Sequence, residues 1–405
     1  MSPALPSAIE NRPLIEQILK QLGDTISNLP TKPGYCGLLS GLSGNLLFLY
    51  KLSVFNTKLV NEEVFDEKLE FLQQQLAAHI HYNDLSSGLS GQGWLLEYLN
   101  QAQGDNYDPE MCEEIDSILQ ESLSDTPWPG EIEMVLGLGG IAVYAARRLL
   151  KSPSGVLFET LVSHFEQAAI QITEHTLTWS QPANSVYRFN KDDKAIPEFN
   201  LGLAHGVPGI IAALLPALKI PALQQRTQSL LMQSCDWLMA QELDKHDFGS
   251  CFASSCNEQH ISRLGWCYGD LTIALTLARV GRALELPSYL EKAKEISLHA
   301  AGRDRHKGMV NDAGLCHGSA GIALIFQLLH QQLNEPELLQ TANKWLNVTL
   351  DDYREKGLKG FYMYSGVTKE HEQDTGFLMG YTGIGLCLLS ALTGDTDWVD
   401  SLLMA

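Results

Sequence analysis

The sequence predicts an all-α fold in which seven inner and seven outer helices form a closed double ring. Three observations lead there. A glycine turn followed directly by an apolar run recurs seven times along the chain. An amphipathic segment lies ahead of each turn, and the runs themselves are apolar on nearly every side, as buried helices are. At 405 residues the chain exceeds the size at which one ordinary core stops growing, so a repeat architecture is the first to test. On the repeat reading residues 1–405 are one domain.

The turns and runs are "GLSGNLLFLY" from Gly41, "GLSGQGWLLEYL" from Gly88, "GLGGIAVYAARRLL" from Gly137 and "GVPGIIAALLPAL" from Gly206. They continue with "GDLTIALTLARVG" from Gly269, "GSAGIALIFQLL" from Gly318 and "GYTGIGLCLLSAL" from Gly380. One Gly-x-x-Gly is weak, but six of them and a seventh turn reading Gly-Asp-Leu-Thr, each opening about three helical turns of apolar residues, are a repeat signature. The glycines let the chain turn tightly into each helix.

Ahead of the first turn, Leu14, Ile15, Ile18, Leu19 and Leu22 share one helical face, and Phe65, Leu69, Leu72 and Leu76 do so ahead of the second. Further amphipathic segments are expected over 109–123, 155–172, 221–239, 287–300 and 336–353, several opening on proline at a helix start. An open solenoid needs only one-sided inner helices, whereas these are apolar all round, which favours the closed ring. Closure puts the seven turns at one end, where their side chains converge.

The charge balance of 28 basic and 48 acidic side chains, net −20, disfavours nucleic acid and anionic lipid as partners. Eight scattered cysteines suit a reducing compartment rather than a disulfide framework. The N-terminal "MSPALPSAIENRPLIEQILKQLG" lacks a secretory signal pattern, and "GIIAALLPALKI" is too short to cross a bilayer. The expectation is a cytoplasmic protein with no transmembrane segment.

Most of the turns are chemically blank. The fourth reads "LAHGVPG" with His205, the fifth "RLGWCYGDLT" with Cys267, and the sixth "AGLCHGSAG" with Cys316 and His317. Two thiolates and an imidazole suit zinc, and a catalytic zinc keeps three protein ligands with a fourth position open. Cys36, Cys112, Cys235 and Cys387 read as packing residues, and the Cys251 to Cys256 spacing is not that of a zinc finger. A lone histidine is more often a core residue than a catalyst, but the place of His205 in the repeat matches those of Cys267 and Cys316.

At "AHGVPG", "WCYGD" and "CHGSAG", in that order on the fourth, fifth and sixth repeats, the chain resembles the lanthionine synthetase C-like cyclases, which close thioether rings in lanthipeptides. The resemblance spans nearly the whole chain. It implies an α/α toroid with Zn2+ held by Cys267, Cys316 and His317, and catalytic positions at His205, Arg263, Tyr268 and Glu133. Two positions depart from the family pattern: Glu133 stands where an aspartate is usual, and Thr272 where a second glycine is usual. The family also implies a strand-rich insertion between repeats three and four; here 176–200 carries aromatic and β-branched residues among turn formers and reads as strands, and its basic Arg188 and Lys191 would dock a leader peptide.

The reaction so implied is Michael addition of a peptide cysteine to dehydroalanine or dehydrobutyrine in a lanthipeptide precursor. His205 is the expected acid and Arg263 a fixed cation beside the enolate, unless Arg263 is an ion-pair partner of Glu133. Tyr268 would position substrate or relay a proton, Asp270 would cap its helix, and Trp266 would pack. The family further implies a dehydratase and an exporter as partners, with peripheral placement at a membrane complex. Three other readings compete: glutathione addition to dehydroamino acids in proteins, isoprenoid chemistry, and a zinc-stapled scaffold that binds peptides. The isoprenoid reading lacks an Asp-rich diphosphate motif at the mouth, since neither "NKDDK" nor "LDDYR" supplies one.

Overall fold

A computed structural model describes residues 3–78, 82–151, 155–189, 191, 194, 196–244, 249–256 and 260–405. Among them, a short α1 (Pro6–Glu10) leads into the outer helices α2 (Arg12–Ser27), α4 (Glu62–Ala78), α6 (Glu113–Ser122), α8 (Val156–Ala168), α10 (Gln224–Met239), α12 (Pro287–Ala301) and α14 (Pro336–Lys356). They alternate with the inner helices α3 (Leu42–Phe55), α5 (Leu89–Gln101), α7 (Leu138–Leu149), α9 (Val207–Leu214), α11 (Asp270–Ala283), α13 (Ser319–Leu333) and α15 (Tyr381–Thr393). The residue preceding each inner helix is the motif glycine. The inner helices are buried almost throughout, whereas α2 buries the stripe Ile15, Ile18, Leu19, Leu22 and Ile26.

The chain divides into two compact units. One comprises Met1–His81, Arg263–Trp266 and Ser297–Asp397; the other comprises Tyr82–Ser262, Cys267–Ile296 and Trp398–Ala405. Within the first, α15 packs against α13, α2 and α3, and α14 lies along α13. Within the second, α7 packs against α5 and α9, and α9 against α11 and α10. In each unit, inner helices that are consecutive in sequence are also neighbours in space.

The second glycine of the motif has a steric role. A Cβ at Gly321 would overlap the Leu315 carbonyl oxygen, and one at Gly383 the Phe377 carbonyl oxygen, so the approaching strand of loop lies directly on the first helical turn. In the fifth repeat Thr272 occupies that position and is fully buried. Gly269 there has φ +99°, whereas the other six motif glycines are extended. Only glycine adopts that backbone without strain, so the loop is re-routed at Gly269.

Several boundaries differ from the sequence reading. The third outer helix starts at Glu113 rather than 109, and the fifth at Gln224 rather than 221. The fourth ends at Ala168, because the β-branched stretch that follows forms β1 (Ile170–Thr173), antiparallel to β2 (Thr176–Thr178). Of the 176–200 stretch read as strands, only β2 is strand among the described residues. Residues 190, 192, 193 and 195 lie outside them, and Asn200 makes an isolated bridge to Ser255. Pro182, Asn184 and Pro197 are turn formers that interrupt a ladder. Directly after α9, Pro216 removes an amide donor, and the helix continues as a 3-10 turn over Leu215–Lys219. A second small ribbon pairs β3 (Met363–Tyr364) with β4 (His371–Glu372). Among the described residues no helix is long and apolar enough to cross a membrane.

Candidate metal centre and its acid-base neighbours

Cys316 and His317 occupy the turn before α13. The Cys316 amide donates to the Leu378 carbonyl at 2.8 Å, and its own carbonyl accepts from the Trp266 amide at 2.6 Å. Gly265 lies so close that a Cβ there would be 2.9 Å from both the Cys316 carbonyl oxygen and His317 Cβ. Residues 265 and 266 are thereby held against the Cys-His turn, and the peptide bond brings Cys267 with them. Cys267 is thus the residue next along the chain from the one bonded to the Cys316 carbonyl.

That donor set fits zinc. Two thiolates at about 2.3 Å and one imidazole at about 2.0–2.1 Å are the ligand types zinc takes, and three of them leave the fourth tetrahedral position open. Cys316 is buried, while Cys267 and His317 are half-buried. Cys36, Cys112, Cys235 and Cys387 are buried instead, and burial pushes the Cys112 thiol up to about 12. They are packing residues, as expected.

The turn before α9 is tied to the turn before α11. The Ala204 amide donates to the Cys267 carbonyl at 3.4 Å, and Gly202 lies against the Cys267 carbonyl and the Tyr268 ring. His205 follows directly, half-buried, with Nδ1 2.7 Å from Glu133 Oε2. Glu133 is 1% exposed, and its carboxylate also accepts the Val135 amide at 2.8 Å and the Leu136 amide at 2.5 Å. A carboxylate so held accepts a hydrogen bond from Nδ1–H, leaving Nε2 as the working nitrogen. The longer side chain at 133 therefore still reaches the histidine.

A family model described as "Lanthionine synthetase C-like protein" matches residues 32–404. The chain belongs to that family. "Nisin biosynthesis protein NisC" of Lactococcus lactis subsp. lactis is 23% identical over 403 residues, covering 92% of this chain and 89% of that protein. A solved structure, "Nisin cyclase", aligns with a TM-score of 0.73 at 19% identity, covering 98% of each chain. The lanthionine synthetase C-like chain thus has the α/α-toroid fold class expected from its repeats.

Within this family member, Tyr268 is half-buried; its hydroxyl accepts from Asn200 Nδ2 at 3.2 Å and its ring meets Phe189 edge-on. Arg263 is exposed. Its expected ion-pair partner, Glu133, is instead committed to His205 and two backbone amides. Asp270 does not cap its own helix: its carboxylate accepts the Cys251 and Phe252 amides at 3.1 and 3.0 Å, fastening that loop. Trp266 is buried, as a packing residue would be. Arg188 is 4% exposed and donates to the Ile196 and Gln181 carbonyls, so it braces its loop internally and cannot offer a charge to a leader peptide. Lys191 is exposed.

Two features had no clear signal in the sequence. Tyr187 stacks on the His205 ring with centroids 3.6 Å apart and planes 17° from parallel. Burial, then the Glu133 and Glu131 charges, raise its hydroxyl above the ordinary tyrosine range. The use of the Asp270 oxygens to hold the Cys251 and Phe252 amides is the other.

Proposed function

We propose that this lanthionine synthetase C-like chain is a zinc-dependent cyclase. It would form lanthionine and methyllanthionine rings by adding peptide cysteine thiols across dehydroalanine or dehydrobutyrine of a lanthipeptide precursor. The observation that carries the reading is the Cys316–His317 turn bonded to the Trp266 amide, with Cys267 next in the chain and the Glu133–His205 pair fastened to Cys267 through Ala204. The relatives named for nisin biosynthesis and nisin cyclisation agree with it.

Zinc held by Cys267, Cys316 and His317 would acidify a substrate thiol, so that thiolate is available at neutral pH. The chain's own residues account for the rest. The substrate thiolate attacks the β-carbon of the dehydro residue, a C–S bond forms, and the double-bond electrons move into an enolate. His205 gives its Nε2 proton to the α-carbon, and Glu133 stabilises the imidazolium form that starts the step by accepting from Nδ1. Arg263, a permanent cation with an exposed side chain, offsets enolate charge, and Tyr268 positions the substrate from beside Cys267.

On this reading the partner is a dehydrated precursor peptide carrying its leader. A dehydratase and an exporter stand beside it at a cytoplasmic, membrane-peripheral site.

The test is incubation of the metal-loaded protein with a dehydrated peptide containing one cysteine and one dehydroalanine, with free thiols counted by alkylation because cyclisation leaves mass unchanged. Thiol loss well above the uncatalysed rate is expected. Glutathione supplied with a cysteine-free dehydrated peptide distinguishes intermolecular addition, which would appear as a glutathione adduct.

A further inference from the structure

We propose that Tyr187 is a positioning residue that fixes the plane of the His205 imidazole and thereby decides from which face the enolate is protonated. This rests on the reading of His205 as the acid of a cyclase. A single hydrogen bond from Nδ1 to Glu133 restrains the ring along one direction but leaves it free to tilt about that axis. A second, face-on contact removes the tilt, and the Tyr187 ring supplies it at 3.6 Å and 17°. With one face covered and Nδ1 engaged, the Nε2 edge is the part of the ring left to meet a substrate.

The backbone shows that the contact is built in. Gln181 Nε2 donates to the His205 carbonyl, and Gln181 Oε1 accepts from the Ser185 hydroxyl at 3.2 Å. The Ser185 oxygen in turn accepts the Tyr187 amide at 3.1 Å. Gln181 and Ser185 are both 6% exposed. Two buried side chains thus connect the backbone of the tyrosine to that of the histidine it stacks on. Arg188, bonded to the Gln181 and Ile196 carbonyls, and Glu198, accepting the Phe189 amide at 2.8 Å, brace the same loop.

The chemistry gives the arrangement a consequence. Protonation of the α-carbon creates a stereocentre, and a fixed donor delivers the proton to one face. A loosened donor protonates more slowly and competes with water, which is not confined to that face.

The experiment compares wild type, Tyr187→Phe, Tyr187→Leu and Ser185→Ala on a dehydrated peptide with one cysteine and one dehydroalanine. The readouts are kcat, KM and, after acid hydrolysis, the ratio of lanthionine diastereomers. Tyr187→Phe keeps the stacked ring and is expected to match wild type. Tyr187→Leu is expected to lower kcat roughly 2- to 10-fold, the rate equivalent of one aromatic pair, with KM nearly unchanged and the minor diastereomer raised. Ser185→Ala, which leaves the ring in place but frees its backbone, shows the same shift to a smaller extent and decides the matter should Tyr187→Leu fail to fold.

A substrate-free check is the NMR spectrum of the His205 ring protons, whose upfield displacement by the stacked tyrosine is lost in Tyr187→Leu and kept in Tyr187→Phe. Unchanged kcat and diastereomer ratio in both Tyr187→Leu and Ser185→Ala overturn the inference while His205→Asn still abolishes turnover. Full activity in His205→Asn overturns instead the acid role on which the inference rests.

Discussion

Replacing Glu133 by glutamine tests the core of the mechanism with almost no change in shape. In the wild type Oε2 accepts from His205 Nδ1 and the Val135 amide, and Oε1 accepts from the Leu136 amide. An amide can place only one oxygen among these three donors. The less damaging orientation keeps oxygen toward His205 and Val135 and turns the NH2 toward the Leu136 amide, leaving two donors face to face in a residue that is 1% exposed. That unsatisfied pair costs about 1–3 kcal/mol of stability.

The catalytic loss is separate from the stability loss. A neutral acceptor in place of a carboxylate weakens the bond to imidazolium by an amount comparable to a charge-assisted hydrogen bond, about 1.5–3 kcal/mol, or roughly 10- to 150-fold in kcat. The assay is thiol loss on a dehydrated cysteine-containing peptide under saturation, with denaturant unfolding and zinc content measured on the same samples. A Glu133→Gln enzyme that keeps kcat within twofold, while folded and metal-loaded, would falsify the orienting role of the Glu133–His205 pair. Glu133→Asp withdraws the carboxylate by one C–C bond, about 1.5 Å, and is expected to lower kcat too, because the 2.7 Å contact opens.

Removing zinc with a chelator, or making Cys316→Ala, should abolish bound metal and thiol loss together; metal analysis beside the alkylation assay checks it. Arg148→Met should destabilise the protein by about 3–5 kcal/mol, since it strands the fully buried Glu97 and half of the Asp116 pair, and denaturant unfolding reads this directly. Burial is the largest single influence on Asp395 and opposes its ionisation, but the Lys51 hydrogen bond and charge together with hydrogen bonding from Asp397 outweigh it and hold the carboxyl below the usual aspartate value of 3.8. Its folded pKa lies below the unfolded one, so the pair stabilises the fold above pH 3.8 and the contribution is lost as pH falls through the depressed value. Lys51→Met should therefore cost about 1 kcal/mol at pH 7 and flatten the acid limb of the stability profile below pH 4.

The local pattern carried the repeat. Period 3.6 on the outer helices, unbroken apolar runs on the inner ones, and glycine at each start are properties of neighbouring residues, so seven pairs were legible without coordinates. Composition was a poorer guide between repeats three and four. Aromatic and β-branched residues there suggested strands, yet side-chain bonds of Gln181, Ser185, Arg188 and Glu198 to backbone and side-chain groups hold most of the described stretch as irregular loop. Arg188 shows the limit most clearly, since a basic residue in a polar loop is read as exposed until its carbonyl partners are seen.

The sequence alone determined which residues have the right chemistry for the proposed site: Cys267, Cys316, His317 and His205 follow as candidates from residue type and from equivalent places in the repeat. Tertiary structure decided what each of them touches. That Glu133 serves His205 rather than Arg263, that Asp270 fastens the Cys251 loop rather than its own helix, and that Tyr187 covers the imidazole are contacts across 72, 19 and 18 residues of chain. Helical periodicity is encoded between neighbours three and four apart, whereas a hydrogen bond or a ring stack between distant turns depends on how whole helices pack, and one sequence carries no local mark of it.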